Sequence, residues 1–181
     1  MSNRVFLLLL TLITTFGLFL RLVDYAKVPP PSEDFDEVHY AWGGLSLLKT
    51  GVPKSWSYLN SYKNYEYIER YGTQWRIVWP VIEKPPLYFF ISGLTVYWSK
   101  NIFDARHEQI RLLPLLLSVF TIALVGLLAM AFFSKEIGLL SALIYSVVPS
   151  IVLANRFSVT ENLLTPITLA SVLVLYWFLY K

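Results

Sequence analysis

The stretch at positions 34–40, with the sequence DFDEVHY, carries the side chains best suited to acid–base chemistry in this chain. Asp36, His39, Tyr40 and Gly43 follow the spacing i, i+3, i+4 and i+7, so on a helix they lie on one side. A carboxylate, an imidazole and a phenol would then share a face, with a glycine leaving space beside them. A carboxylate in this position can act as a general base that takes a proton from a hydroxyl group.

These residues also have a structural explanation. An Asp or Glu in the first turn of a helix complements the helix dipole and needs no further role. This alternative applies more strongly to Glu37 than to Asp36, whose face also carries His39. Asp34 followed by Glu37 also resembles a capping pair that opens a helix. The imidazole of His39 is open to both a structural and a ligand-binding interpretation.

A second candidate is the run EKPPL at positions 83–87. A residue before proline is pushed out of the helical region, whereas proline suits the first helical turn. The run therefore predicts an extended Lys84 and a helix that begins at Pro86. A helix N-terminus attracts anions, and Lys84 adds a full positive charge, so a phosphate at the membrane surface is the predicted ligand. The alternative is that Lys84 contacts lipid headgroups and pairs with Glu83.

The third candidate is Glu161, in the segment NRFSVTEN at positions 155–162. Thr160 would cap the following helix and Glu161 would occupy its first turn, a position that the helix dipole explains by itself. If this segment lies on the same side of the membrane as Asp36, the Glu161 carboxylate would instead face the same cavity.

The composition indicates a membrane protein that must hold these residues between apolar segments. Apolar residues make up 56% of the chain and charged residues 15%, compared with about 25% charged residues in soluble domains. Ten of the twelve acidic residues lie between Asp24 and Glu108. The absence of cysteine excludes disulfides and thiolate sites. The net charge of +3 is spread along the chain, which excludes the basic face of a nucleic-acid-binding protein.

Four segments have the length and composition of transmembrane helices, which need roughly 20 apolar residues. They are residues 5–23, 112–133, 137–154 and 162–180. The first is predicted to be retained as an anchor, because it is long for a signal peptide and is followed by a poor cleavage site. Arg21 lies near enough to its end to snorkel, and Pro149 is predicted to kink the third segment.

Two further helices are predicted inside the loop 24–111. Apolar residues at helical spacing favour an amphipathic helix near 36–50 that lies on the membrane and ends before GVP at 51–53. Residues 86–99 are too short to cross and favour an interfacial helix. Residues 54–79, rich in Tyr and Trp, are predicted to form an irregular or short-stranded loop that covers the site.

The number of spans decides the topology. With four spans, the loop 24–111 and the linker 155–161 are both extracytoplasmic, and Arg4, Lys135 and Lys181 are cytoplasmic, as the positive-inside rule prefers. If 87–98 crossed the membrane, the loop and the linker would lie on opposite sides. The predicted fold is an all-α integral membrane domain over residues 1–181, with about four transmembrane helices and interfacial helices in a large first extracytoplasmic loop.

In order and spacing, these motifs resemble the polytopic GT-C glycosyltransferases, in particular the branch with protein O-mannosyltransferases and the lipid A aminoarabinose transferase. The resemblance covers essentially the whole chain. Four motifs carry it: Asp36-Glu37 after the first span, EKPPL at 83–87, RLLP at 111–114 opening the second span, and ENLL at 161–164 opening the fourth.

The resemblance implies transfer of a sugar from a polyprenyl-phosphate donor to a protein or glycolipid acceptor at the extracytoplasmic face. It assigns the catalytic carboxylate to Asp36, with Glu37 and Glu161 as further catalytic candidates. It places Lys84 at the donor phosphate. The remaining assignments are phosphate binding by His39 and Tyr40 and, in analogy to the lipid A enzymes, a divalent metal at Glu83. The family often has Arg where this chain has His39, and usually Asp where it has Glu161.

Members of this family run to several hundred residues, so this chain is expected to be the N-terminal part of such an enzyme. It is expected to be a multi-pass protein of a bacterial or archaeal plasma membrane, in contact with membrane lipids. The use of a metal is left open. The alternative function is a small non-catalytic membrane protein that binds lipid phosphates or scaffolds a partner. A transporter is disfavoured because the ionisable residues lie outside the spans.

Overall fold

The computed structural model describes residues 1–31, 34–70 and 72–180 and divides into two compact units. The transmembrane unit contains Met1–Pro30 and Pro114–Lys181, and the loop unit contains Pro31–Leu113. Lys181, predicted to be cytoplasmic, lies outside the described residues. The elements are α1 (Asn3–Leu22), α2 (Asp36–Thr50), β1 (Ser55–Trp56), β2 (Tyr65–Arg70), β3 (Thr73–Val78), α3 (Pro86–Thr95), a 3-10 turn (Ile102–Asp104), α4 (His107–Ile110), α5 (Leu112–Phe132), α6 (Lys135–Val147), α7 (Pro149–Ala154) and α8 (Glu161–Tyr180).

Within the described residues, three helices are long and apolar enough to cross a membrane: Asn3–Leu22, His107–Phe132 and Glu161–Tyr180. They coincide with three of the four predicted apolar segments. The remaining segment, 137–154, contains two helices, α6 and α7, separated at Val148, which is extended with ψ 119°. Proline has no N–H to donate and disfavours a helical conformation in the residue before it, so Pro149 ends α6 and begins α7.

Arg21 satisfies the carbonyl groups that this break leaves without helical partners. Its Nη1 donates to the carbonyl of Ser146 at 3.1 Å and its Nη2 donates to that of Tyr145 at 3.2 Å. In a continuous helix the Tyr145 carbonyl would accept from residue 149, which is a proline without an N–H. Arg21 is fully buried, so the expectation that it snorkels is wrong. An unsatisfied carbonyl inside a membrane costs several kcal/mol, and the guanidinium removes that cost at two positions.

The linker that carries Glu161 is fixed inside the transmembrane unit by buried polar side chains. Arg156 donates to the carbonyls of Val28 and Leu20, each at 2.8 Å. Asn155 accepts from Arg21 Nη2 at 2.9 Å and donates to Asn162 Oδ1 at 3.0 Å. The described part of the linker is thereby tied to the C-terminal end of α1.

Helix α2 is the centre of the loop unit. It has the predicted bounds and ends at Gly51, whose φ of 75° is a left-handed conformation that glycine adopts without strain. The expected amphipathic face is not observed, because every residue from Glu37 to Ser46 is buried. Strand β1, α3, α4 and the 3-10 turn surround α2, so it packs on all sides. Its closest neighbour is α3, at a glycine contact where a Cβ on Gly44 would lie 2.6 Å from the backbone nitrogen of Gly93.

The segment 54–79 forms a three-stranded antiparallel sheet in the order β1-β3-β2. Strands β2 and β3 form a hairpin with the register Tyr65↔Val78 to Arg70↔Thr73, next to Gly72 at φ 67°. The prediction of short strands is confirmed here, and the protein is mostly helical with one small sheet. Trp75 and Ile77 on β3 join Trp42 and Leu45 of α2 in the core of the loop unit.

Candidate functional site

The centre of the candidate site is an ion pair between Asp36 and Lys84. Lys84 Nζ lies 3.0 Å from Asp36 Oδ2, and the two side chains are 34% and 35% exposed. Asp36 is the first residue of α2, and Lys84 lies two residues before Pro86, the first residue of α3. The contact brings two helix N-termini together, and their free N–H groups favour an anion. The prediction that Pro86 begins a helix is confirmed.

Lys84 remains a cation in this environment. Partial burial opposes its charge, but the hydrogen bond and negative charge of Asp36, with a contribution from Tyr40, outweigh burial and raise the pKa of Lys84 above its usual value. Its Nζ also lies 5.7 Å from the centre of the Tyr40 ring. A positive charge at this position is therefore maintained at neutral pH, as a ligand for a phosphate requires.

Tyr40 supports Lys84 from a buried position. It is 3% exposed, and its ring packs edge-on against Tyr88 at 4.7 Å and contacts Phe89 at 5.6 Å. The structure thus places two of the predicted phosphate ligands, Lys84 and Tyr40, side by side at the start of α3.

His39 lies on the same side of α2 but is directed into the protein. Its Nδ1 lies 2.9 Å from the carbonyl oxygen of Trp56, and its ring contacts Trp56, Tyr40 and Phe89 at 5.2–5.7 Å. Burial lowers the pKa of His39, more than its hydrogen bond to Trp56 and the charge of Asp36 raise it. A neutral ring that donates its single N–H to Trp56 has no donor left for a phosphate. The geometry therefore favours the structural interpretation of His39.

Glu37 faces away from Asp36 and forms a fully buried ion pair with Arg111. Arg111 Nη2 lies 2.7 Å from Glu37 Oε2, and neither side chain is exposed. The capping interpretation of Glu37 is wrong, because the residue before α2 is Phe35, with no side-chain cap hydrogen bond. Asp34 instead accepts from the backbone N–H of Asp36 at 2.8 Å. The catalytic role assigned to Glu37 stays a prediction, now with a strong structural alternative.

Glu83 is exposed beside the ion pair. Its carboxylate is close enough to Tyr62 to contribute, after burial, to raising the pKa of that phenol, whose oxygen accepts from the Ile82 N–H at 3.0 Å. Among the residues that the structure describes, no group of three or more His, Cys, Asp or Glu is arranged to hold a metal. The metal role of Glu83 stays a prediction that requires ligands from the substrate or water.

Glu161 belongs to the transmembrane unit, where it is the exposed first residue of α8. It lies at a groove of about 320 Å³ along this helix, together with Thr165 and Thr168. A cavity shared with Asp36 remains a prediction.

An aromatic cleft in the loop unit was not predicted from the sequence. It has a volume of about 250 Å³. Its lining includes Phe35, Trp56, Tyr58, Tyr67, Gln74 and Trp75. The sequence signal for it was the alternation in YEYIER and TQWRIV at 65–70 and 73–78, which is typical of paired strands with aromatic residues on one face.

Arg111 was noted in the sequence as part of a motif, but its partner was not. A single arginine between the apolar residues Ile110 and Leu112 indicates either a snorkelling side chain or a buried ion pair. The sequence does not distinguish between these, and the structure shows the second.

Residues 83–181 match the sequence profile of the family described as dolichyl-phosphate-mannose-protein mannosyltransferase. No curated protein and no solved structure matches the chain. The matched segment contains Lys84, Arg111 and Glu161 and begins after the segment that carries Asp36.

Proposed function

Because the chain belongs to the dolichyl-phosphate-mannose-protein mannosyltransferase family, we propose that Asp36 and Lys84 are its general base and its donor-phosphate ligand. Family membership confirms the resemblance to GT-C enzymes and the class of membrane glycosyltransferase that uses polyprenyl-phosphate-linked sugars. The residue roles, the acceptor and the membrane face are the proposal.

The observation that carries the proposal is the contact of 3.0 Å between Lys84 Nζ and Asp36 Oδ2. A base and a phosphate ligand must lie on either side of the same anomeric carbon, so their side chains must be close together. Both side chains are about one third exposed, which leaves them accessible to a substrate. The helix N-terminus at Pro86 adds a positive potential beside Lys84.

In the proposed reaction, Asp36 accepts the proton of an acceptor hydroxyl group while the hydroxyl oxygen bonds to the anomeric carbon of the donor sugar. The bond between that carbon and the phosphate oxygen breaks, and its electron pair leaves with the lipid phosphate. The phosphate gains one negative charge, which Lys84 and the free N–H groups of α3 stabilise. Attack opposite to the leaving group inverts the anomeric carbon, and no covalent enzyme intermediate is needed.

We assign the remaining residues from the same arrangement. Tyr40 holds Lys84, and Glu161 orients the acceptor if the two units meet at one cavity. Glu83 is the nearest additional carboxylate to the phosphate site, and a divalent metal bound with the donor phosphate would use it. The acceptor is a protein or glycolipid hydroxyl at the extracytoplasmic face of a bacterial or archaeal plasma membrane, and this chain supplies the N-terminal part of the multi-pass enzyme.

The proposal is tested by Asp36→Asn in the complete protein, with labelled donor and equal amounts of protein in membranes. Asparagine keeps the size of the side chain but does not accept the proton, so transfer should fall by about 10²–10⁴-fold while expression and donor binding persist. Asp104→Asn is the matched control, because Asp104 lies in the exposed 3-10 turn. Transfer near the wild-type rate in Asp36→Asn would exclude Asp36 as the base and leave Glu37 or Glu161.

A further inference from the structure

The aromatic cleft lies outside the Asp36–Lys84 pair, and no step of the proposed transfer uses it. It lies where β1 ends and β3 continues, so its lining comes from residues 56–58 and 73–76 with Phe35 and Tyr67. Trp56 and Trp75 are buried, whereas Tyr58 is 80% exposed and Tyr67 is 57% exposed. The aromatic cleft thus has a buried aromatic floor and an exposed polar rim.

The floor is rigid and offers apolar surface. The indole N–H of Trp56 donates to the carbonyl of Phe35 at 3.1 Å, and that of Trp75 donates to the carbonyl of Arg70 at 2.8 Å. The Trp75 ring packs edge-on against Phe35 at 4.9 Å and against Trp56 at 5.6 Å. Because both indole N–H groups are already used, these rings can offer a ligand only the apolar surface that a C–H-rich face prefers.

The rim offers hydrogen bonds. Gln74 carries both a donor and an acceptor group, and the phenols of Tyr58 and Tyr67 can each donate or accept. In the part of the chain that the structure describes, these three side chains have no hydrogen-bond partner. Neighbouring hydroxyl groups of a ligand would satisfy this combination.

The charge of the lining favours a neutral ligand. Arg76 is its one charged residue among those described, and no carboxylate is present. The Arg76 guanidinium is already used, because it donates to the carbonyls of Leu59 and Tyr62 and lies 4.5 Å from the centre of the Tyr65 ring. A lipid phosphate therefore has a better partner in Lys84 than in the cleft.

The volume limits the ligand to one ring. At about 250 Å³ the aromatic cleft is smaller than the roughly 300–1,000 Å³ of sites for drug-sized ligands. A neutral molecule with an apolar face, several hydroxyl groups and this size is a pyranose sugar. We infer that the aromatic cleft is a binding site for a neutral hexopyranose ring.

The position of the cleft connects this site to the candidate base. Phe35 lines the cleft and immediately precedes Asp36, and its carbonyl accepts from the Trp56 indole and from the His39 backbone N–H. A sugar on the floor would therefore be bound within one residue of the first turn of α2. Its role in transfer rests on the proposed function, whereas its binding does not. The ring belongs either to a glycosylated acceptor or to the donor, since both present the same chemistry.

The test is a titration of the complete purified protein with methyl hexopyranosides, followed by tryptophan fluorescence, in a detergent without a sugar headgroup. We expect saturable quenching by at least one hexopyranoside. Tyr67→Ala and Gln74→Ala should each weaken binding about fivefold or more, because each removes one ring contact or hydrogen bond. The matched control is Tyr97→Ala, which removes a half-exposed tyrosine outside the cleft and should bind like the wild type.

Competition identifies the source of the ring. Displacement by a polyprenyl-phosphate sugar, but not by polyprenyl phosphate alone, would assign the ring to the donor. Displacement by neither, with displacement by an oligosaccharide, would assign it to the acceptor. The inference is overturned if no hexopyranoside binds saturably, if the cleft variants bind like Tyr97→Ala, or if only a Ser- or Thr-containing peptide binds. Because Asp36→Asn should leave this titration unchanged, failure of the catalytic proposal and failure of the sugar site are separate results.

Discussion

Arg111 donates to both carboxylate oxygens of Glu37 while the two side chains are completely buried. Its Nε lies 3.0 Å from Oε1 and its Nη2 lies 2.7 Å from Oε2. The pair joins the first turn of α2 to the residue immediately before α5. In sequence Glu37 is the neighbour of Asp36, so the ion pair also fixes the helix turn that presents the candidate base.

We predict that breaking this pair destabilises the protein strongly. Removing one partner leaves a buried charge without compensation, so Arg111→Met should lower the free energy of unfolding by about 3–5 kcal/mol. Thermal unfolding of the purified protein and protease sensitivity of the loop unit measure the effect.

The controls distinguish a structural ion pair from a catalytic carboxylate. The double variant Glu37→Leu with Arg111→Met should be more stable than Arg111→Met alone, because neither buried charge remains. Arg111→Lys should also be unstable, since lysine does not reproduce the two-point contact. Wild-type stability in Arg111→Met would contradict the assigned role.

We predict that Lys84→Ala weakens donor binding without unfolding the protein. Lys84 is partly exposed, and loss of a charge-assisted contact to phosphate costs on the order of 1.5–3 kcal/mol. Binding of a polyprenyl phosphate to the purified protein measures this loss. Lys54→Ala is the matched control, because Lys54 forms a partly exposed ion pair with Glu66 at 2.7 Å in the same unit. Equal affinity in both variants would mean that Lys84 contacts only lipid headgroups.

We predict that His39 makes the protein less stable in acid. Burial lowers the pKa of His39 in the folded protein, despite the opposing charges of Asp36 and Glu83, while in the unfolded chain it stays near about 6.5. As the pH falls below about 6.5, the unfolded chain takes up a proton that the folded protein does not, so stability is lost. At higher pH both states are neutral and this contribution disappears.

The test compares the wild type with His39→Asn between about pH 5 and 8, the range around the usual histidine pKa. Asparagine keeps an N–H donor for the Trp56 carbonyl but does not titrate, so the decline in melting temperature toward acid should become smaller. The difference between the two proteins isolates His39 from His107. Identical pH profiles would refute the prediction.

We predict that the loop unit and the linker 155–161 are on the extracytoplasmic side. The chain contains no cysteine, so a single introduced cysteine reports one position. Ser61→Cys and Ala154→Cys, both at exposed positions, should react with an impermeant reagent in intact cells. Phe133→Cys, at the other end of α5, should react only after permeabilisation. Reaction of only one of the first two would refute the four-span topology.

The sequence by itself determined the features that depend on neighbouring residues. The start of α3 follows from Pro85-Pro86, the end of α2 from Gly51, and the apolar helices from their composition. The two candidate residues Asp36 and Lys84 were also identified in the sequence, because acidic residues at a helix start and a lysine before prolines are local patterns.

Only the tertiary structure decided which side chains meet. Glu37 and Arg111 are 74 positions apart, and Arg21 and Asn155 are 134 positions apart. No local pattern specifies such pairs, since they depend on which helices pack together and on the cost of leaving a buried charge or carbonyl unsatisfied. For the same reason α2 was predicted as an amphipathic surface helix: its sequence shows which residues are apolar, but only the surrounding sheet and helices bury its polar face as well.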